Sequence, residues 1–145
     1  MWVSMKKIGV IYWSNMGNVE VLANHIADGA KNAGAEVEIK LVNEIKPNEI
    51  TKYDAIALGS PSMDNNRIEQ QEMEPFIREI RLLAPNNMPV VLFGSYGWDD
   101  GKFMTDWCQR MKEEKFEVKG SIAVKEAPTE EQIKKAEDLG KLLAE

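Results

Sequence analysis

Three clusters of polar and aromatic residues follow apolar runs in this 145-residue sequence, and their residue types suit ligand binding. The first spans Ser14 to Val19, where a predicted strand turns into a predicted helix, and Gly17 lets the backbone approach a ligand closely. Backbone N–H groups at a helix N-terminus bind anions without a lysine. The cluster by itself leaves two interpretations open, a phosphate site and a polar turn that caps the helix.

The other two clusters add apolar and aromatic groups. The stretch from Gly59 to Glu72 is long for a loop after a strand, and it contains the apolar Met63. The stretch from Gly94 to Phe103 places Tyr96 and Trp98 among glycines. Large aromatic side chains in such loops can present a flat face to a planar ligand, and packing of the indole over the domain edge is the alternative. Together the clusters predict a site for a phosphorylated planar ring.

Apolar periodicity indicates which elements position these clusters. Strands are predicted over residues 7–13, 36–42, 55–59, 89–95 and 116–124. Helices are predicted over residues 18–33, around the stripes at 73–80 and 104–111, and after the capping box of Thr129 and Gln132. This alternation predicts an α/β fold with a five-stranded parallel sheet of order 2-1-3-4-5 and helices on both faces. All three clusters then lie at the carboxyl edge of the sheet.

Composition limits the function classes. The chain is 43% hydrophobic and 29% charged, with a net charge of −6, which argues against a non-specific nucleic-acid binder. No apolar run approaches the ~20 residues of a membrane span, so we expect a cytoplasmic protein. We expect one domain over residues 1–145, with 1–4 a remnant of a tag or of an alternative start. The single cysteine, Cys108, forms no internal disulfide, and His25 has no second ligand in sight, so no metal site is expected.

Three stretches, YWSNMGN, MEPFI and VLFGSYGWDDGK, resemble flavodoxins, and more narrowly the short-chain, clostridial type. The resemblance covers nearly all of Met5 to Glu145. It implies a flavodoxin-like fold and a low-potential one-electron carrier with non-covalently bound FMN. It also implies a monomer that is not an enzyme and that shuttles electrons between reductases and oxidoreductases with basic docking faces. The alternative is a flavodoxin-like binding or regulatory module with weak or no flavin binding.

The resemblance also implies roles for the residues of the three clusters. The first cluster would bind the FMN phosphate, and Met63 and Trp98 would lie against opposite faces of the ring. The turn that follows Met63 would edge the flavin. The expected FMN-binding residues are Ser14, Asn15, Met16, Gly17, Asn18, Val19, Ser60, Pro61, Ser62, Met63, Asp64, Asn65, Asn66, Ser95, Tyr96, Gly97, Trp98 and Asp99.

The chain departs from the flavodoxin pattern at two places. Met16 and Val19 stand where the family's phosphate loop usually has threonines. Each lost hydrogen bond to a charged group costs ~1.5–3 kcal/mol, so we expect weakened rather than abolished FMN binding. Asp64 stands where the short-chain family commonly has glycine, and its charge would disfavour the reduced flavin. A further acidic set near this edge would either steer basic partners or begin a helix: Asp64, Glu69, Glu72 and Glu74.

Overall fold

The computed structural model describes residues 5–14, 17–63, 66–97 and 100–145. Strands and helices alternate along these ranges. Their bounds are β1 Lys7–Tyr12, α1 Asn18–Asn32, β2 Glu36–Leu41, β3 Ala55–Gly59, α2 Met73–Leu83, β4 Pro89–Tyr96, α3 Lys102–Glu113, β5 Glu117–Lys125 and α4 Glu130–Ala144. Two short 3₁₀ segments, Val42–Glu44 and Pro47–Lys52, connect β2 to β3.

The five strands form one parallel sheet in the order β2-β1-β3-β4-β5, which confirms the predicted α/β topology. Helices α1 and α4 pack on one face and α2 and α3 on the other, and each face has its own apolar core. The strand β3 is buried along its whole length because both of its faces are covered. The edge strand β2 alternates between polar and apolar residues and is only partly buried.

Most predicted element bounds lie within one residue of the observed ones. β1 ends at Tyr12 rather than at residue 13, and β4 continues to Tyr96. Gly34 has φ +97° just beyond α1, the left-handed conformation in which a glycine commonly ends a helix. The capping box before α4 is confirmed, since the Thr129 hydroxyl accepts from the Gln132 backbone N–H at 3.2 Å. Within the described ranges, no helix is both long and apolar enough to cross a membrane.

Helices α1 and α4 approach each other through their glycines. A Cβ atom added at Gly29 would lie 1.9 Å from the Glu137 carbonyl oxygen, and one added at Gly140 would lie 1.9 Å from the Ile26 carbonyl oxygen. The atoms in the way belong to the backbone and cannot rotate aside. The two glycines therefore set the separation of these helices, and this crossing holds α1 in place on its face of the sheet.

We predict that Gly29→Ala lowers the free energy of unfolding by about 1–3 kcal/mol, because the clash requires a backbone shift. The substitution gains only about 1 kcal/mol of helix propensity, so it is a net loss. Urea unfolding followed by circular dichroism measures the difference. The control is Asn24→Ala, at an exposed position of the same helix, which should leave the midpoint nearly unchanged. A Gly29→Ala protein as stable as wild type would contradict the close-contact interpretation.

Candidate functional site

A cavity of about 370 Å³ opens at the carboxyl edge of the sheet, beside the ends of β1, β3 and β4. Nine residues predicted from the sequence line it: Ser14, Asn18, Val19, Pro61, Ser62, Met63, Ser95, Tyr96 and Gly97. All three predicted clusters therefore contribute to one cavity. The predicted residues Asn15, Met16, Asp64, Asn65, Trp98 and Asp99 lie outside the described residues.

The first cluster leads into a helix start that no side chain caps. Gly17 is the N-cap of α1 with φ +90°, a conformation that favours glycine, and its N–H donates to the Ser14 hydroxyl at 3.2 Å. Asn18 and Val19 follow in the first turn and line the cavity. The N–H groups of a first turn have no partner within the helix. This helix start consequently presents donors and a partial positive charge to the cavity.

The second cluster contains a small hairpin beside the cavity. The Met63 N–H donates to the Arg67 carbonyl at 2.7 Å, and the Asn66 N–H donates to the Met63 carbonyl at 3.2 Å. Asn66 has φ +56°, as expected for the last position of a three-residue hairpin loop. The Met63 side chain is 40% exposed, although methionine is among the residue types most often buried. The hairpin therefore holds an apolar side chain at the cavity wall.

A buried carboxylate organises the rest of the second cluster. Glu69 is only 3% exposed, and its side chain accepts from the backbone N–H groups of Gln71, Glu72 and Met73 at 2.7–2.8 Å. The hydroxyl of the fully buried Ser60 accepts from the Glu69 N–H at 2.9 Å. Glu69 and Ser60 thus hold this loop and the start of α2 together, and neither side chain lines the cavity.

A fourth loop reaches the cavity, and the sequence did not indicate it. Glu126, directly after β5, lines the cavity with φ +60°, and its N–H donates to the Tyr96 carbonyl at 3.1 Å. The available signal was topological, because every strand of a parallel sheet that leads into a helix ends at the same edge. Nothing in the residue types around Glu126 singles it out. Its carboxylate places a negative charge at the rim.

Two side-chain hydrogen bonds join the neighbouring loops. The Trp13 indole N–H, directly after β1, donates to Glu72 at the start of α2 at 2.8 Å. The Tyr12 hydroxyl donates to Glu20 in the first turn of α1 at 2.9 Å. Burial, together with this hydrogen bond and the charge of Glu20, raises the pKa of Tyr12 to about 12. The phenol therefore stays protonated at neutral pH and acts as a fixed donor.

Two of the acidic residues considered as steering charges are buried. Glu69 accepts hydrogen bonds from the backbone of its own loop. Glu74 is 8% exposed and accepts from Arg110 and Arg78. Burial by itself would raise the pKa of Glu74, but the hydrogen bonds and charges of the two arginines outweigh it, and the pKa is lowered. Neither carboxylate is free to attract a partner. The physical reason is that both satisfy donors inside the fold.

Three other residues whose side chains could take part in chemistry, His25, Trp107 and Cys108, lie away from this cavity. His25 lies 3.0 Å from Glu137 of α4 and is 31% exposed, so it bridges the two crossing helices. Trp107 is 3% exposed and belongs to the apolar core of the α2–α3 face. Cys108 is half-buried against the core rather than fully buried. None of the three lines the cavity at the sheet edge.

The cavity fits a ligand with an anionic end and a flat apolar end. Donors from the start of α1 lie at one side, and Met63 and Tyr96 provide apolar and aromatic surface in the same wall. The described lining has no lysine, arginine or histidine, so an anion would be held by backbone and hydroxyl donors. Among the described residues of the lining, the one charged group is the exposed Glu126.

Comparisons with known proteins agree with this geometry. A family model described as flavodoxin matches residues 10–140. A flavodoxin of Megasphaera elsdenii is 37% identical over 123 residues, which cover 83% of this chain and 88% of that protein. A flavodoxin of Clostridium beijerinckii is 40% identical over 102 residues, which cover 70% and 73%. The solution structure of two-electron reduced Megasphaera elsdenii flavodoxin superposes with a TM-score of 0.87 at 34% identity, over 94% of this chain and 98% of that one.

We predict a pH-dependent role for Glu74 in stability. Its folded-state pKa is lowered, so its contribution is present above the unfolded value of ~4.5 and is lost as pH falls through the folded pKa. Glu74→Gln should therefore lower the free energy of unfolding by about 2 kcal/mol at pH 7, and by progressively less as the pH falls below that unfolded value. Denaturant unfolding at a series of pH values measures this difference.

The matched control for that series is Glu79→Gln, an exposed carboxylate on the same helix. It should change stability little at any pH, because exposed charges are screened by solvent. A deficit in Glu74→Gln that stays constant from pH 7 down to about 3 would contradict a charge-based role.

Proposed function

The chain belongs to the flavodoxin family and is an FMN-binding electron carrier, and from that premise we propose that the cavity at the carboxyl edge of its sheet holds the FMN. The single observation that carries this assignment is the uncapped start of α1, which opens into the same cavity as Met63 and Tyr96. Bound FMN supplies the capacity to accept and release electrons. The protein's own residues bind it, orient it and set its electrostatic surroundings.

In this proposal the phosphate lies at the first cluster. The first-turn N–H groups of α1 and the Ser14 hydroxyl are the donors, and Gly17 keeps the approach open, since a Cβ atom there would meet nothing within 4 Å. Val19 is 1% exposed and belongs to the core of this face, so it offers a methyl group where a hydroxyl would add a donor. Binding then depends mainly on backbone donors, which supports the expectation of weakened affinity.

The ring would lie between the second and third clusters. Met63 and Tyr96 line the cavity and would contact the ring. Trp98 is proposed for the opposite face of the ring from the resemblance alone. The hairpin hydrogen bonds fix the Met63 backbone, so its side chain needs little reordering when a ring binds. The backbone bond from Ser62 to Ser95, 2.8 Å long, keeps the two loops at a set separation.

Charge at the rim supports a low reduction potential. Glu126 lines the cavity, and the exposed Asp100 lies just before α3. A negative charge near the flavin opposes the addition of an electron, and lining cations that would offset it are absent from the described residues. We accordingly propose a low-potential carrier. The alternative of a module with weak or no flavin binding is not favoured by relatives that are flavodoxins over most of the chain.

Partner docking is proposed to use the exposed acidic residues at this rim. Glu20, Asp100 and Glu126 are exposed, whereas Glu69 and Glu74 are buried. A net charge of −6 suits encounter with redox proteins that have basic docking faces. We propose a monomeric carrier that meets such partners at the flavin edge and that performs no substrate chemistry of its own.

We predict that the apoprotein binds FMN at least about tenfold more tightly than riboflavin, because riboflavin lacks the phosphate that the α1 start holds. Quenching of flavin fluorescence on titration measures both constants. Val19→Thr should tighten FMN binding by up to about tenfold by adding a hydroxyl donor, and should leave riboflavin binding unchanged.

The matched control is Val21→Thr, which makes the same exchange at a position of the same helix that is 37% exposed and does not line the cavity. It should leave both flavin affinities unchanged. Equal affinity for FMN and riboflavin in the wild-type protein would overturn the placement of the phosphate.

We predict that the double variant Glu126→Gln/Asp100→Asn slows electron transfer to a basic c-type cytochrome by roughly three- to tenfold at low ionic strength. The difference should shrink as added salt screens the charges. Stopped-flow measurement of the FMN-loaded, reduced protein at several salt concentrations provides the rates.

The control removes the same number of charges from the far end of the molecule. Glu36 begins β2 and Asp28 lies late in α1, both toward the opposite edge of the sheet. Glu36→Gln/Asp28→Asn should slow the reaction less than the rim variant. If the two double variants behave alike, net charge alone controls the encounter and the proposed docking rim is wrong.

A further inference from the structure

A second cavity of about 370 Å³ lies on the α2–α3 face of the sheet, and the proposed flavin site does not use it. Three of the chain's four arginines, Arg67, Arg78 and Arg110, line it. The fourth, Arg81, lies on α2 and does not. No lysine from the described ranges lines this cavity, although lysine is far more common in the sequence. We call it the arginine cavity.

The guanidinium groups of Arg110 and Arg78 differ in how many of their donors internal ion pairs use. Arg110 donates through Nη1 and Nη2 to the two oxygens of Glu74 at 2.5 and 2.6 Å, and through Nε to Glu114 at 2.9 Å. Arg78 donates to Glu74 through Nε alone, at 2.9 Å. Its Nη1 and Nη2 groups have no hydrogen-bond partner among the described residues, and the side chain is 69% exposed.

The acidic groups at the arginine cavity are already engaged. Glu74 is shared between two guanidinium groups, so this trio keeps a positive charge. Asp106 also lines the cavity, and Lys102 pairs with it at 3.1 Å. Glu114 pairs with Arg110 from outside the lining. Arg78 and Arg110 are therefore balanced in charge by Glu74 and Glu114, and the cavity offers an anion the unused N–H donors of Arg78.

Apolar and aromatic residues form the floor of the arginine cavity. Ile68, Phe103 and Trp107 line it and are all at least nine-tenths buried. The Trp107 indole N–H is buried and has no hydrogen-bond partner in the described part of the chain. A buried donor without a partner costs free energy, so a ligand acceptor that reached this N–H from the cavity would be favoured.

From these contacts we infer that the arginine cavity is a second ligand site, which binds a small molecule that joins a phosphate or carboxylate group to a flat apolar body. Arginine suits this task because its planar fork binds such oxyanions through two parallel hydrogen bonds. The anion would lie at the free Nη1 and Nη2 groups of Arg78, between Arg67 and Arg110. The flat body would lie on Phe103 and Trp107.

The position of the arginine cavity couples it to the proposed flavin site. Met63 lines the flavin cavity, while Asn66 and Arg67 of the same hairpin line the arginine cavity. An anion bound there adds negative charge on the far side of that hairpin. By linkage, it should bind the oxidised protein more tightly than the reduced one and should lower the flavin potential. This coupling rests on the proposed flavin site, whereas the binding itself does not.

Phenyl phosphate and benzoate are suitable probes, with benzyl alcohol as the uncharged control. Each is titrated into the isotope-labelled, FMN-loaded protein, whose flavin cavity is then occupied. We expect either anion to shift the indole N–H signal of Trp107, identified by its loss in Trp107→Phe, and the amide signals of Asn66 and Arg67. Benzyl alcohol should cause smaller shifts. Equal shifts by the alcohol, or shifts confined to Ser14 and Asn18, would overturn the proposal.

Variants test the arginines themselves. Arg78→Gln should weaken anion binding at least about tenfold, and because the residue is exposed the fold should remain intact. Arg81→Gln removes the same charge from the same helix outside the cavity and should leave binding nearly unchanged. Similar losses in both variants would show a non-specific charge effect and would refute the site. The titration is repeated without FMN, where binding should persist even if the flavin assignment fails.

Discussion

The structure depends on one constraint, which is that a parallel sheet brings the start of every following helix to the same edge, where unpaired backbone N–H groups accumulate. At three of those starts a side chain accepts from one or two of the first backbone N–H groups. Thr129 caps α4, Asp100 accepts from the first N–H of α3, and Glu69 accepts from the start of α2. In the described residues, no side chain accepts from the helical N–H groups of α1, and Ser14 accepts only from the N-cap Gly17. The backbone N–H groups at the start of α1, beside the cavity, therefore remain available to a ligand.

This division explains why buried polar residues and cavity-lining residues occur side by side in the loops. Glu69 and Ser60 are buried and accept hydrogen bonds from backbone N–H groups, which makes the second loop rigid. Met63 and Tyr96 extend from that rigid frame into the cavity wall. A carrier that must bind its cofactor without large rearrangement benefits from such a frame, because less ordering is required on binding.

Charge is likewise divided between structure and surface. The acidic residues near the cavity differ in role by burial: Glu74 neutralises arginines between α2 and α3, whereas Glu126 remains exposed at the rim. The same arrangement leaves Arg78 with unused donors on the other side of the hairpin. The hairpin from Met63 to Arg67 thus separates an acidic rim from the arginine cavity, and it is the element through which the two can influence each other.

The sequence by itself determined the alternation of strands and helices, the strand order, the capping box at Thr129 and the three loops of the cavity, because these follow from short-range periodicity and turn residues. Only the tertiary structure decided that Glu69 and Glu74 are buried, that Glu126 joins the cavity and that three arginines share another. Arg110 meets Glu74 across 36 positions of sequence. Such pairings depend on how helices pack on the sheet, which no local pattern of residues records.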